Sequence, residues 1–174
     1  MTRNGATEVQ RELTALLPRL WRFALYLTRD QQKAEDLVQS SCVRALEKAS
    51  QFQAGTNLDR WVFAIAASIW KNALRSDSRA PRTSDDVEDL PFRGVDTSEI
   101  KAFAQQVLRH VANLPDGQRA VVALVCVEQW TYKETAAALD IPIGTVMSRL
   151  SSARRALAPL IQEHAESSAE VPSP

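Results

Sequence analysis

Leu13, Leu16, Leu17, Leu20, Phe23, Ala24 and Leu27 recur three and four residues apart. At 3.6 residues per turn this spacing draws one apolar stripe, so residues 8–28 predict a first helix, with Pro18 as a local irregularity. Asp30 stands where it can cap a second helix, whose inner face holds Ala34, Leu37, Val38, Ser41, Ala45 and Leu46 through to about Ser50. Lys33, Glu35, Asp36, Gln39, Arg44, Glu47 and Lys48 remain on its polar side. A loop containing Gly55 follows, and Asn57 can cap a third helix from Leu58 to about Ser76 with Leu58, Val62, Ile65, Ala66, Ile69 and Ala73 as its stripe. Phe63 and Trp70 lie on another face, suited to packing on the first helix. No alternating strand pattern with a hairpin turn appears, and the predicted fold class is all-α.

The pattern then lapses. Residues 77–97 are polar and acidic, interrupted by Pro81, Pro91 and Gly94, which is a linker composition. Periodicity resumes near Ser98 with Ile100, Phe103, Val107, Leu108 and Val111, breaks at Asn113 to Asp116, and resumes from Gly117 to Gln129. The predicted organisation is two small helical domains, residues 1–76 and 98–164, joined by a flexible acidic linker at 77–97 and followed by a disordered tail at 165–174.

The most specific punctuation lies between Thr131 and Leu157. Thr131 followed three residues later by Glu134 is a capping box, in which each side chain satisfies a free N–H at a helix start, and it predicts a helix from Tyr132 to Leu139. Asp140, Ile141 and Pro142 break that helix, and a second starts between Pro142 and Thr145. Val146, Leu150, Ala153 and Leu157 form its buried stripe, while Thr145, Ser148, Arg149, Ser152 and Arg155 fall opposite. This is the punctuation of a helix-turn-helix. Two guanidiniums and three hydroxyls without an acid suit phosphate contact and base-edge bonding in a DNA major groove, although a solvated amphipathic helix would also carry a polar face. On the third helix Arg60, Lys71 and Arg75 make a basic ridge bordered by Trp61, Ser68 and Asn72, a combination fitted to melted nucleic acid.

Charge sharpens this picture. Lys and Arg number 21 against 21 Asp and Glu, but the zero conceals blocks: residues 1–75 hold 11 basic and 7 acidic side chains, 76–100 hold 3 and 7, 101–160 hold 7 and 4, and 161–174 hold 3 acids. Two basic modules around an acidic connector suit two contacts on a polyanion. Cys42 and Cys126 lie far apart without histidines at ligand spacing, so they read as buried small hydrophobes, with no disulfide or metal site and no cofactor. His110 and His164 lack a catalytic constellation and no phosphate-binding glycine loop occurs, which argues against an enzyme. The opening MTRNGATEVQREL has no apolar signal core and no apolar run reaches bilayer length, so the expected location is the cytoplasm without membrane insertion. No heptad or other dimer element is visible, and the free chain reads as a monomer.

Over almost its whole length the chain resembles the extracytoplasmic-function, or group IV, sigma factors of bacterial RNA polymerase, in the sigma-70 family. The resemblance lies in Ala34-Glu35-Asp36-Leu37-Val38-Gln39 with Arg44-Ala45, in the Phe52 to Trp61 loop and helix start, in Leu114-Pro115 followed by Gln118-Arg119, and in the Tyr132 to Ala136 and Ile141 to Leu150 segments. Each motif alone is common; their shared order and spacing is specific. The resemblance implies that Glu35, Asp36, Leu37, Gln39 and Arg44 dock on the β′ clamp helices of core polymerase. It implies that Asn57, Arg60, Trp61, Ser68, Lys71, Asn72 and Arg75 read and melt a −10 element. The C-terminal domain would hold the β flap while Lys133, Thr145, Ser148, Arg149, Ser152, Arg154 and Arg155 contact a −35 element. It also implies an anti-sigma factor as partner and nucleoid association when bound to polymerase. The sequence departs from the family at Met147 and Ser152, where basic residues are common, and at Ala67-Ser68, where the family often has Arg-Asn. Two other readings fit parts of the chain: an autonomous helix-turn-helix regulator, which leaves the first domain unused, and an all-helical module that binds only proteins.

Overall fold

The three stripes of the first half become α1 (Arg3–Thr28), α2 (Gln31–Glu47) and α3 (Leu58–Asp77) in a computed structural model that describes residues 3–77 and 98–169, with side-chain surroundings for residues 5–76 and 102–162. The second half forms α4 (Ser98–Ala112), α5 (Asp116–Val122), α6 (Tyr132–Leu139) and α7 (Ile143–Ala169). No strand occurs among the described residues. The linker reading falls on residues 78–97, outside the described residues.

Helix α1 begins earlier than its apolar stripe because its first turn has a partner. Val9 is fully buried, and Gly5 sits so close to the chain after α2 that a Cβ there would collide with the Phe52 carbonyl oxygen. Pro18 does not interrupt the helix; it lies on the exposed side, where water can take the carbonyl left without a donor. Arg29, at φ 57°, ends α1 in a left-handed turn, and the Asp30 carboxylate then caps α2 by accepting the Lys33 N–H at 2.8 Å. Helix α2 stops at Glu47, three residues short of the sequence expectation, because Ala49–Gln51 tighten into a 3-10 turn. Leu46, assigned to the inner face, is exposed instead.

On α3 the core face takes in the Phe63 and Trp70 face expected to pack on α1 and turns away from part of the expected stripe. Leu58, Val62 and Ala66 are buried as expected, but Phe63, Ala67 and Trp70 are buried with them, Ile65 and Ile69 are only half-buried, and Ala73 is exposed. The large rings decide the orientation: Phe63 packs on Phe23 of α1 with centroids 5.0 Å apart, which buries more apolar area than any aliphatic alternative on this helix.

In the second half the expected helix from Gly117 to Gln129 is shorter. Helix α5 passes into a π turn over Ala123–Val127, where the Glu128 N–H donates to the Ala123 carbonyl, and Gln129 at φ 56° redirects the chain. That widened turn exposes Cys126, expected to be buried, while delivering Trp130 to the core. Helix α6 has its expected bounds and its capping box, with Thr131 Oγ1 accepting the Glu134 N–H and Glu134 accepting the Thr131 N–H at 2.8 Å. Helix α7 buries Val146, Leu150 and Ala153, passes through Pro159 and extends to Ala169, so residues 165–169 are helical where the sequence suggested a tail.

One contiguous apolar cluster runs through both halves. Arg119 of α5, 2% exposed, is the one charged residue buried among the described residues and serves as a bolt between the halves. It donates to the carbonyls of Ala112 and Leu114, to Asp116 at 2.6 Å, and across to the Leu27 carbonyl of α1 at 2.9 Å. Arg29 returns a bond to the Ala112 carbonyl at 3.1 Å. No described helix is long and apolar enough to cross a membrane.

Candidate nucleic-acid interface

Helix α3 presents its polar residues in two directions. Trp61, Ser68 and Asn72 turn toward α2, and with Gln39 and Arg44 they wall an open groove of about 760 Å³. Trp61 stays half-buried because it leans on Phe52, with ring centroids 5.3 Å apart, so the loop before α3 fixes its ring at the mouth of the groove. Residues assigned separately to polymerase and −10 contact thus share one groove. Asn57, at the last position before α3, is exposed and accepts the Trp61 N–H through its backbone carbonyl.

Arg60 and Lys71, eleven residues apart and hence on one helical face, turn the other way, toward α6. Arg60 pairs with Glu134 and lies over the Trp130 ring, 5.5 Å from its centroid. Lys71 donates to Asp140 at 3.1 Å and to the Leu139 carbonyl at 3.4 Å. A third bridge joins Arg19 of α1 to Glu128 at 2.5 Å and to Asp59 at 3.4 Å. Of the four acids in residues 101–160, three therefore face cations of the first half. Sequence reasoning gave Glu134 a capping role and read Asp140 only as a helix break; the cross-chain role had no local signature. Arg75 is exposed near the end of α3.

The Glu134 carboxyl is held below its ordinary value near 4.5, first by the Thr131 hydroxyl and backbone N–H and then by Arg60. One carboxylate thus caps α6 and ties it to α3.

On α2, Glu35, Asp36, Gln39 and Arg44 are exposed, with Gln31 bonded to Glu35 at 3.1 Å and Arg44 to Glu47 at 3.2 Å. Leu37 is buried, so it supports that face from within. In the helix-turn-helix, Lys133, Ser148, Arg154 and Arg155 are exposed and Thr145 and Ser152 half-buried. Arg149 is not on the open face: its guanidinium rests on Gly117 of α5, where an added Cβ would meet it at 2.8 Å. No group of three or more His, Cys, Asp or Glu able to hold a metal occurs among the described residues.

Known families match both halves of the chain. Sigma-70 region 2 matches residues 13–80, and sigma-70 region 4 matches residues 104–157. The chain is 28% identical to the ECF RNA polymerase sigma factor EcfG of Rhodopseudomonas palustris over 86% of this chain and 83% of that one. It is 30% identical to the ECF RNA polymerase sigma-E factor of Haemophilus influenzae over 73% and 74% respectively. Among solved structures it superposes on the sigma factor RpoE of Bartonella quintana, in complex with the anti-sigma factor NepR, with a TM-score of 0.72, 29% identity, and 89% and 97% coverage. The fold is shared with CnrH, solved with the cytosolic domain of CnrY, at a TM-score of 0.59 and 21% identity over 93% and 97% of the chains. Two region matches in order and 30% identity across most of a relative's length make this chain a member of the extracytoplasmic-function sigma factors, the subunits that direct RNA polymerase to promoters.

Proposed function

We propose that the chain engages core polymerase through the outer face of α2 and the promoter through two separate surfaces, the α2–α3 groove and the leading half of α7. The observation that carries this reading is the groove itself, where Trp61, Ser68 and Asn72 offer a ring, a hydroxyl and an amide to an unstacked base beside Arg44. Glu35, Asp36, Gln39 and Arg44 present charge and hydrogen-bonding capacity to the polymerase clamp, with Leu37 anchoring that face. Lys133, Arg154 and Arg155 meet phosphates flanking the −35 duplex, Thr145, Ser148 and Ser152 line the approach, and Arg149 braces α7 on α5. Arg60, Lys71 and Arg75 serve the phosphates of the melted strand. For Arg60 and Lys71 this requires exchanging Glu134 and Asp140 for DNA, so the packing of α6 on α3 is a closed form that opens on the promoter.

The domain division at residues 77–97 serves this opening. An anti-sigma factor fits the closed form, supported by the likeness to a sigma factor solved with NepR. Binding of polymerase on DNA places the working protein in the cytoplasm at the nucleoid. The chain acts as a specificity subunit, and the chemistry of transcription is the polymerase's.

Substitutions separate the surfaces. Asp36→Arg abolishes co-purification with core polymerase while binding of the isolated chain to promoter duplex persists, and Arg154→Ala with Arg155→Ala does the reverse. Equal loss of both activities in both variants contradicts the assignment.

A further inference from the structure

The leading end of α7 is apolar where polar base-reading groups were expected. Ile143 and Met147, 50% and 54% exposed, stand four residues apart on one face of its first two turns. Gly144 between them has no atom within 4 Å of where a Cβ would sit, so another molecule can approach the backbone there closely. Two of the nearby polar groups are engaged within the chain: the Ser148 hydroxyl donates to the Thr145 carbonyl at 3.1 Å, and the Arg149 guanidinium rests on Gly117. The exposed charges beside this tip are mostly basic: Lys133, Arg154 and Arg155 are exposed, no acid lies between Ile143 and Arg155, and Asp140, three residues before Ile143, is paired with Lys71.

An apolar tip inside a basic rim matches a duplex edge better than a protein groove, because the rim's charge is complementary to phosphates. The leading residues of the second helix in a helix-turn-helix reach base edges in the major groove. There the apolar feature that distinguishes one base pair from another is the C5-methyl group of thymine. We propose that Met147, assisted by Ile143, reads thymine methyl groups in the −35 element, so that methyl contact sets specificity at those positions. The proposal rests on the promoter reading above. Met147 fits the task because its flexible thioether side chain adapts to a methyl surface without bringing a polar group that needs a partner. It also borders a shallow groove walled by Tyr132, Ser151 and Arg154, so a base edge held by Met147 has a cation beside it.

The test uses the full chain with core polymerase. Duplexes randomised at the −35 element are selected by binding, and each thymine of the selected sequence is then replaced singly by deoxyuridine, which deletes only the methyl group. At one or two positions the replacement weakens binding about fourfold, what burial of one methyl group is worth. Met147→Ala binds thymine and deoxyuridine duplexes equally, and Met147→Leu keeps most of the difference. Both substitutions are at an exposed position, so folding is retained. A selected element without thymine, or an equal deoxyuridine effect in the unaltered protein and Met147→Ala, overturns the proposal. Unchanged selection by Met147→Ala with weakened polymerase association assigns the tip to a protein and likewise overturns it. Enrichment of no sequence at all removes the promoter reading beneath it.

Discussion

Arg119 illustrates a residue whose role is set by what surrounds it. Its guanidinium is buried and serves the carbonyls of Ala112, Leu114 and Leu27 together with Asp116. Arg119→Ala strands several buried acceptors at about 1–3 kcal/mol each, so a loss of about 3 kcal/mol or more is expected in urea unfolding. Arg119→Lys recovers little of it, because an ammonium cannot span acceptors laid out for a planar fork. The sequence displayed Arg119 within a motif but not this role, since the Leu27 acceptor lies 92 residues away. Thr131 is the opposite case, because its capping partner is three residues along the chain and the motif could be read directly. Thr131→Ala costs about 1 kcal/mol. Because folding lowers the Glu134 pKa, the stability this carboxylate contributes is present above the unfolded value near 4.5 and is lost as pH falls through the lowered folded value. In Thr131→Ala, where the largest cause of the lowering is gone, acid titration of stability becomes shallower in that window.

Among the elements, α6 and α7 were legible because cap, break and stripe are local, and so was the packing of Phe63 on α1, whereas the weaker burial of the Ile65–Ile69 side of α3 was not. Its sequence offers two overlapping apolar faces, and only the position of Phe23 on α1 decides that Phe63 and Trp70 face inward while Ile65 and Ile69 border the groove. Phe63→Ala is therefore expected to cost about 3–5 kcal/mol, and Ile65→Ala distinctly less, in denaturant unfolding. A similar cost for both would return α3 to the face its stripe first suggested. The same reasoning explains Cys126. Lacking disulfide or ligand partners it read as a buried small hydrophobe, but the π turn over Ala123–Val127 shifts the register by one residue and turns it out. No sequence pattern for that turn was recognised.

For the molecule as a whole, the basic and acidic blocks along the chain announced two modules that could meet a polyanion, but not that the modules would first meet each other. Three bridges, Arg19–Glu128, Arg60–Glu134 and Lys71–Asp140, draw α6 and the turn before it onto α1 and α3. The Lys71 bridge is at the surface and individually weak, so the contact between the halves owes more to Arg119 and the shared apolar cluster. Replacing Glu134 with Gln and Asp140 with Asn removes two carboxylates that compete with phosphate. The isolated double variant is then expected to bind single-stranded −10 DNA several-fold more tightly, with a steeper salt dependence than the unaltered chain. Unchanged affinity and salt slope would show that α6 does not shield α3 from nucleic acid.

Run-off transcription tests the central claim most directly. Purified core polymerase is given a pool of promoter fragments from the source genome, with and without this protein. Discrete transcripts that require the protein, and that disappear with Asp36→Arg, are the predicted result. Retardation of duplex DNA by the protein alone, with no initiation gained by the polymerase, would contradict it.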